Sequence, residues 1–164
     1  MELFSFSGRA NRTEFWLVGI GLTLAIMLFG LLAGFAASAI FSGLPAAQQG
    51  WVSMGLVTVA TLLFAWPVAA VGVRRAHDRG GSGVWFIVYQ IANIALSLWS
   101  TSLAPRGVDE MGGEAMMMGV ASLPILGLAL FLLVTLGFLP GQAVENRYGP
   151  KPGSRSVNYR SPAL

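Results

Sequence analysis

The 164 residues contain no cysteine, so disulfide bonding and thiolate chemistry are excluded from the start. A single histidine, His77, cannot build a multi-histidine metal centre, and no metal site and no cofactor is expected. Charge is scarcer still: Asp, Glu, Lys and Arg make up 10% of the chain, against roughly 25% in a soluble domain. That shortage argues against an ordinary water-exposed globule. The high apolar content, 55%, equally excludes intrinsic disorder.

The scarce charges are unevenly placed. None falls between Phe15 and Val73, between Val84 and Pro105, or between Ala115 and Val144. A charged side chain at the bilayer centre costs about 2.5–3.5 kcal/mol on insertion scales, and a spanning helix needs about 20 apolar residues. The first gap is too long for one span and divides at Phe41–Gly50, where Ser42-Gly43-Leu44-Pro45 and the pair Gln48-Gln49 supply a turn. The pattern predicts an all-α integral membrane bundle of four transmembrane helices, at about 15–40, 51–73, 84–104 and 116–139, forming one domain over residues 1–152. Gly153–Leu164 reads as a flexible basic tail.

Nine of the ten basic residues lie on one side of such a bundle. That side has net charge +5 and the other −2, because Arg106 is outweighed by Asp109, Glu110 and Glu114. The positive-inside rule then predicts both termini in the cytoplasm. Ala37-Ser38-Ala39 has the look of a signal-peptidase site, but the apolar run before it is too long for a signal-peptide core, so the first span is expected to be retained.

Within the membrane, small residues and polar side chains carry packing information. Gly55, Thr58, Leu62, Ala65, Ala69 and Gly72 recur at helical spacing and predict a packed face on the second span. The first span carries Gly30-x-x-x-Gly34, either for packing within the chain or as a homodimer seam. Gln90, Asn93, Ser97 and Ser100 form a polar stripe on the third span. It is expected to face the bundle, either as interhelical hydrogen bonds or as the lining of a solute path. Pro67 and Pro124 should kink their helices. No span holds an ionisable residue, which argues against ion-coupled transport.

Three motifs flank the spans on the basic side. Gly8-Arg9-Ala10-Asn11-Arg12-Thr13-Glu14-Phe15-Trp16 opens the first helix, with Asn11 and Glu14 at the offset of a capping box. Arg74-Arg75-Ala76-His77-Asp78-Arg79-Gly80-Gly81-Ser82-Gly83 joins the second and third, with glycines for a tight reversal and Ser82 as a candidate cap. Pro140-Gly141 stops the fourth helix and leads to Asn146-Arg147-Tyr148-Gly149-Pro150. The motifs are expected to converge into one polar cap. Arg9, Arg12, Arg74, Arg75, Arg79 and Arg147 would be balanced by Glu14, Asp78 and lipid phosphates. His77 beside Asp78 offers an acid–base pair, without a well-positioned nucleophile.

In these three ordered motifs the chain resembles the bacterial inner-membrane family called domain of unknown function 805. The matching residues are Gly8, Arg9, Arg12, Glu14, Phe15 and Trp16; Arg74, Arg75, His77, Asp78, Gly80, Ser82, Gly83 and Trp85; and Pro140, Gly141, Asn146, Arg147, Tyr148, Gly149, Pro150 and Pro152. Ala76 and Ala143-Val144-Glu145 depart from the family pattern. The resemblance implies a small multi-pass protein of the inner membrane and brings no activity with it.

The sequence therefore predicts a non-enzymatic accessory or scaffold protein. Its cap would bind anionic lipid headgroups or another membrane protein, with self-association also open. A small oligomeric transporter or channel using the polar stripe is the alternative. Membrane enzymology on a lipid phosphate at His77 and Asp78 is a third. Nucleic acid is not an expected partner, since the arginines hug span ends.

Overall fold

The computed structural model describes residues 4–103 and 112–153, and these contain four long helices and no strand. Helix α1 is Arg12–Ile40, α2 is Ala46–Asp78, α3 is Val84–Leu103 and α4 is Gly113–Leu132. The last helix continues into a π-helical segment, Leu133–Phe138, before Leu139 turns extended. All four are long and apolar enough to cross a membrane.

The helices overrun the predicted spans at both ends of the bundle. Asn11 starts α1 three residues earlier, its side-chain Oδ1 accepting the Glu14 amide at 2.7 Å. Helix α2 runs 33 residues, about 50 Å at 1.5 Å per residue, because nothing between Val73 and Asp78 breaks a helix. The turn between α1 and α2 shrinks to 41–45. Arg106, Asp109, Glu110, Arg155 and Arg160, the end of the third span at Ala104 and the tail from Ser154 lie outside the described residues.

The short connection between α2 and α3 fixes the register of that pair. Gly83, at φ +74°, brings the chain against Val73, whose Cα would lie 3.0 Å from an added Cβ. Phe86, one turn into α3, lies against Gly72, where any side chain would collide with its ring. Phe86 joins Ala76, Leu132 and Leu136 in one buried cluster, with Phe15, Val68, Tyr89 and Leu128 around it. A second unites Ala10, Val18 and Val71.

The predicted small face of α2 is a contact face only in part. Ala69 and Gly72 are buried, whereas Gly55 is exposed and Leu62 is 51% exposed. A Cβ added at Gly55, Gly30 or Gly34 would meet nothing within 4 Å, so Gly30-x-x-x-Gly34 makes no close approach to another element among the described residues. The physical reason is the solvent: lipid is as apolar as the side chains, so an apolar stripe gains nothing from being covered.

Candidate functional site

The three basic-side motifs meet at one end of the bundle. Every residue from Val71 to Asp78 is buried, including Arg74, Arg75, His77 and Asp78. Buried charge is expensive unless paired and hydrogen-bonded, so the partners define the site.

Asp78 is the hub. Its Oδ1 accepts from Arg9 Nε at 3.1 Å and Nη2 at 2.9 Å, and its Oδ2 accepts from Arg75 Nη1. The Asp78 carboxylate reaches this position because residue 141 is glycine; a Cβ there would overlap the carboxylate. Arg9 donates further to the carbonyls of Gln142 at 2.5 Å, Val144 at 2.7 Å and Gly149 at 3.3 Å. All five N–H groups of its guanidinium are thus engaged. Motif one, motif two and motif three are tied through this one pair.

The remaining cations close the end of the fourth helix. The last carbonyls of a helix have no intrahelical donor and carry partial negative charge. Here the carbonyls of residues 135–139 each accept a side-chain donor. Arg79 reaches Thr135 O at 2.9 Å, Arg75 Nε reaches Leu136 O at 2.7 Å, and Trp16 Nε1 reaches Gly137 O at 3.0 Å. Arg12 reaches Phe138 O at 3.1 Å and Arg75 Nη2 reaches Leu139 O at 2.6 Å. Within the segment, the Leu139 amide bonds back to Val134 O at 3.2 Å, the wide i to i+5 step of a π-turn. Gly137 admits the Trp16 ring, which would lie 2.9 Å from an added Cβ.

Loop residues close α2 in the same way, two through their backbone and one through its side chain. The Ala10 amide donates to Arg74 O at 3.0 Å, the Gln142 amide to Asp78 O at 2.8 Å, and Asn146 Nδ2 to His77 O at 2.9 Å.

His77 and Asp78 face different partners. The His77 ring donates from Nδ1 to Gly8 O at 3.1 Å and stacks on Tyr148 at 3.7 Å, with Arg147 over the far ring. Arg74 pairs with Glu14 at 2.9 Å, while its Nε and Nη2 are buried with no hydrogen-bond partner. Glu14 therefore supplies its amide to the cap and its carboxylate to Arg74, rather than reaching back to Asn11. The N-terminal segment lies along α2, where Trp66 Nε1 donates to Phe4 O at 3.1 Å and meets the Phe6 ring edge-on.

Two recesses border the knot. One of about 230 Å³ is lined by Arg79, Ser82, Trp85, Phe86 and Phe131, among others. The other, about 360 Å³, is lined by Asn11, Arg12, Gln142 and Lys151 over the Arg75–Asp78 pair.

The polar stripe is elsewhere. Asn93, Ser97 and Ser100 line an open cleft of about 540 Å³ between α3 and α4, with Ala115, Gly119 and Ser122 opposite. Gln90 is half-buried and is not part of that lining. Among the described residues, no group of three or more His, Cys, Asp or Glu that could hold a metal ion occurs.

The carbonyl acceptors, the π-segment, the Trp16 bond and the roles of Gly137 and Gly141 were not anticipated from the sequence. One signal was present: the three motifs hold far more arginines than carboxylates, so the surplus had to find neutral acceptors, and Pro140 ends a helix nearby.

A family model described as "Protein of unknown function (DUF805)" matches residues 3–150. The chain is 31% identical over 166 residues to a protein of Escherichia coli strain K12 named "Uncharacterized protein YiiR", covering 97% of this chain and 92% of that one. It is 34% identical over 112 residues to "Inner membrane protein YhaI" of the same strain, covering 66% of this chain and 84% of that one. No solved structure matches.

Proposed function

The chain belongs to the DUF805 family and is a multi-pass inner-membrane protein, and on that premise we propose that it is a non-enzymatic binding protein whose basic end holds anionic lipid headgroups at the cytoplasmic leaflet. The positive-inside rule supports that orientation, since the basic motifs share one end.

The observation that carries the reading is the division of labour among the arginines. Arg9 and Arg75 are buried, and every guanidinium nitrogen of each is hydrogen-bonded within the knot. Arg79 and Arg12 line the two recesses as well, but each makes only one hydrogen bond among the described residues, to a helix-end carbonyl, so most of its guanidinium donors are unused. In the 230 Å³ recess a cation and the Ser82 hydroxyl stand beside Trp85, Phe86 and Phe131. That is the chemistry of a phosphodiester with its first acyl carbons, charge-assisted donors on one side and apolar rings on the other. His77 and Asp78 are held by structural partners, which supports binding over turnover.

The test is native mass spectrometry of the full chain from mixed micelles of phosphatidylglycerol and phosphatidylcholine. Selective retention of phosphatidylglycerol, reduced about tenfold in Arg79→Gln, is the expected result, a charge-assisted hydrogen bond being worth about 1.5–3 kcal/mol. Equal retention of both lipids, or a co-purifying protein in place of lipid, would count against it.

A second reading draws on the 540 Å³ cleft. It is lined by α3 and α4 alone, so solute transport would need a second copy to close the path. Solute flux in vesicles that Asn93→Leu alters would favour it.

A further inference from the structure

The polar stripe and the knot satisfy their hydrogen bonds differently, and the difference points to a partner. In the stripe the hydroxyls are served by their own helices. Ser100 Oγ and Thr101 Oγ1 donate to Ser97 O, both at 2.9 Å, and across the cleft Ser122 Oγ donates to Gly119 O at 2.7 Å. Such back-bonding is the usual way a hydroxyl is tolerated in a spanning helix. A carboxamide has two N–H donors and a carbonyl to satisfy, and here it has found nothing. Among the described residues neither Asn93 nor Gln90 makes a side-chain hydrogen bond, and Asn93 is exposed.

Asn93 sits midway along Val84–Leu103, and a helix of that length, about 30 Å, matches the hydrocarbon thickness. The amide therefore stands near the bilayer midplane, where acyl chains offer neither donor nor acceptor and water is absent. The neighbouring wall, Ala115, Gly119 and Ser122, is small enough to admit another helix.

We propose that the α3–α4 cleft is a self-association surface, occupied by α3 of a second copy of this chain in the same membrane orientation. Two copies related by a two-fold axis along the membrane normal bring the same residue to the same depth. A primary amide is self-complementary, so two facing Asn93 side chains exchange N–H and C=O reciprocally. A second copy is the one protein certain to present such a group at that level. This assignment is independent of the headgroup site, which lies at the other end of α3.

The native chain lacks cysteine, so single-cysteine variants report proximity without background. Ser97→Cys, which lines the cleft on α3 one turn from Asn93, should cross-link under mild oxidation in native membranes. Leu24→Cys, on the lipid-facing side of α1 at 60% exposure, should not. Adding Asn93→Leu should lower the cross-linked fraction on dilution with lipid by about tenfold, while Asn93→Gln, which keeps an amide, should retain most of it. Native mass spectrometry in nanodiscs should show the dimer for the unmodified chain. Three results would overturn the proposal. One is cross-linking at Ser97→Cys no higher than at Leu24→Cys. Another is cross-linking only to a different protein. The third is a monomer that carries a polar solute across vesicles in an Asn93-dependent way.

Discussion

The two ends of this bundle are built on different rules. At the arginine end, charged and polar side chains are buried and bonded, and the run of α2 from Val71 to Asp78 is buried without a break. In the far half only Ala37, Ala60 and Leu103 are buried apolar residues among those described, and the helices leave an open cleft. Covering apolar surface gains little when the surroundings are lipid, whereas a buried ion left without its partner is severely penalised. The bundle is therefore locked where its polar groups are, and the greasy remainder is held loosely.

Substitutions at the two ends should separate accordingly, and the largest effect is expected at the hub. Asp78→Asn leaves Arg9 and Arg75 buried with reduced compensation and should destabilise by about 3–5 kcal/mol, read as unfolding equilibrium in mixed micelles. Next come the glycines that make room. Gly141→Ala forces a Cβ against Asp78, and Gly72→Ala forces one against Phe86; each should lose about 1–3 kcal/mol by the same assay. Trp16→Phe keeps an aromatic side chain but removes the indole N–H bonded to Gly137 O and part of the indole's packing on Gly137, for at least about 1 kcal/mol. At the far end Gly55→Ala should change stability by less than about 0.5 kcal/mol, because the added methyl meets nothing within 4 Å. A loss at Gly55 comparable to that at Gly72 would break the contrast between the halves.

How much of this was legible in the sequence follows the same division. Charge-free runs mark the four helices, since the bilayer's penalty on charge acts directly on residue identity. The gathering of basic residues in three motifs was visible for the same reason, and the structure places Arg9, Arg75 and Asp78 within hydrogen-bonding reach. What the arginines bind was hidden. Backbone carbonyls carry no letter in a sequence, and which of them lose their intrahelical donors depends on where the helix loosens into a π-turn at Leu133. The small-residue stripe misled over Gly55 and Leu62, because periodicity marks a face without saying whether a neighbour covers it. Asn93 was legible as a polar residue needing a partner, and within this chain that partner is absent among the described residues.

The central claim is that the three basic-side motifs form one energetic unit through Asp78. A double-mutant cycle of Arg9→Gln and Asp78→Asn, on unfolding in mixed micelles, tests it most directly. The two residues are 69 positions apart in sequence and 2.9 Å apart in space. The account predicts a coupling well above about 1 kcal/mol, within the range of contacting polar pairs, with the double variant far less destabilised than the sum of the singles. Effects that add to within about 0.3–0.5 kcal/mol would contradict it, for they would mean that the two motifs stabilise the bundle independently.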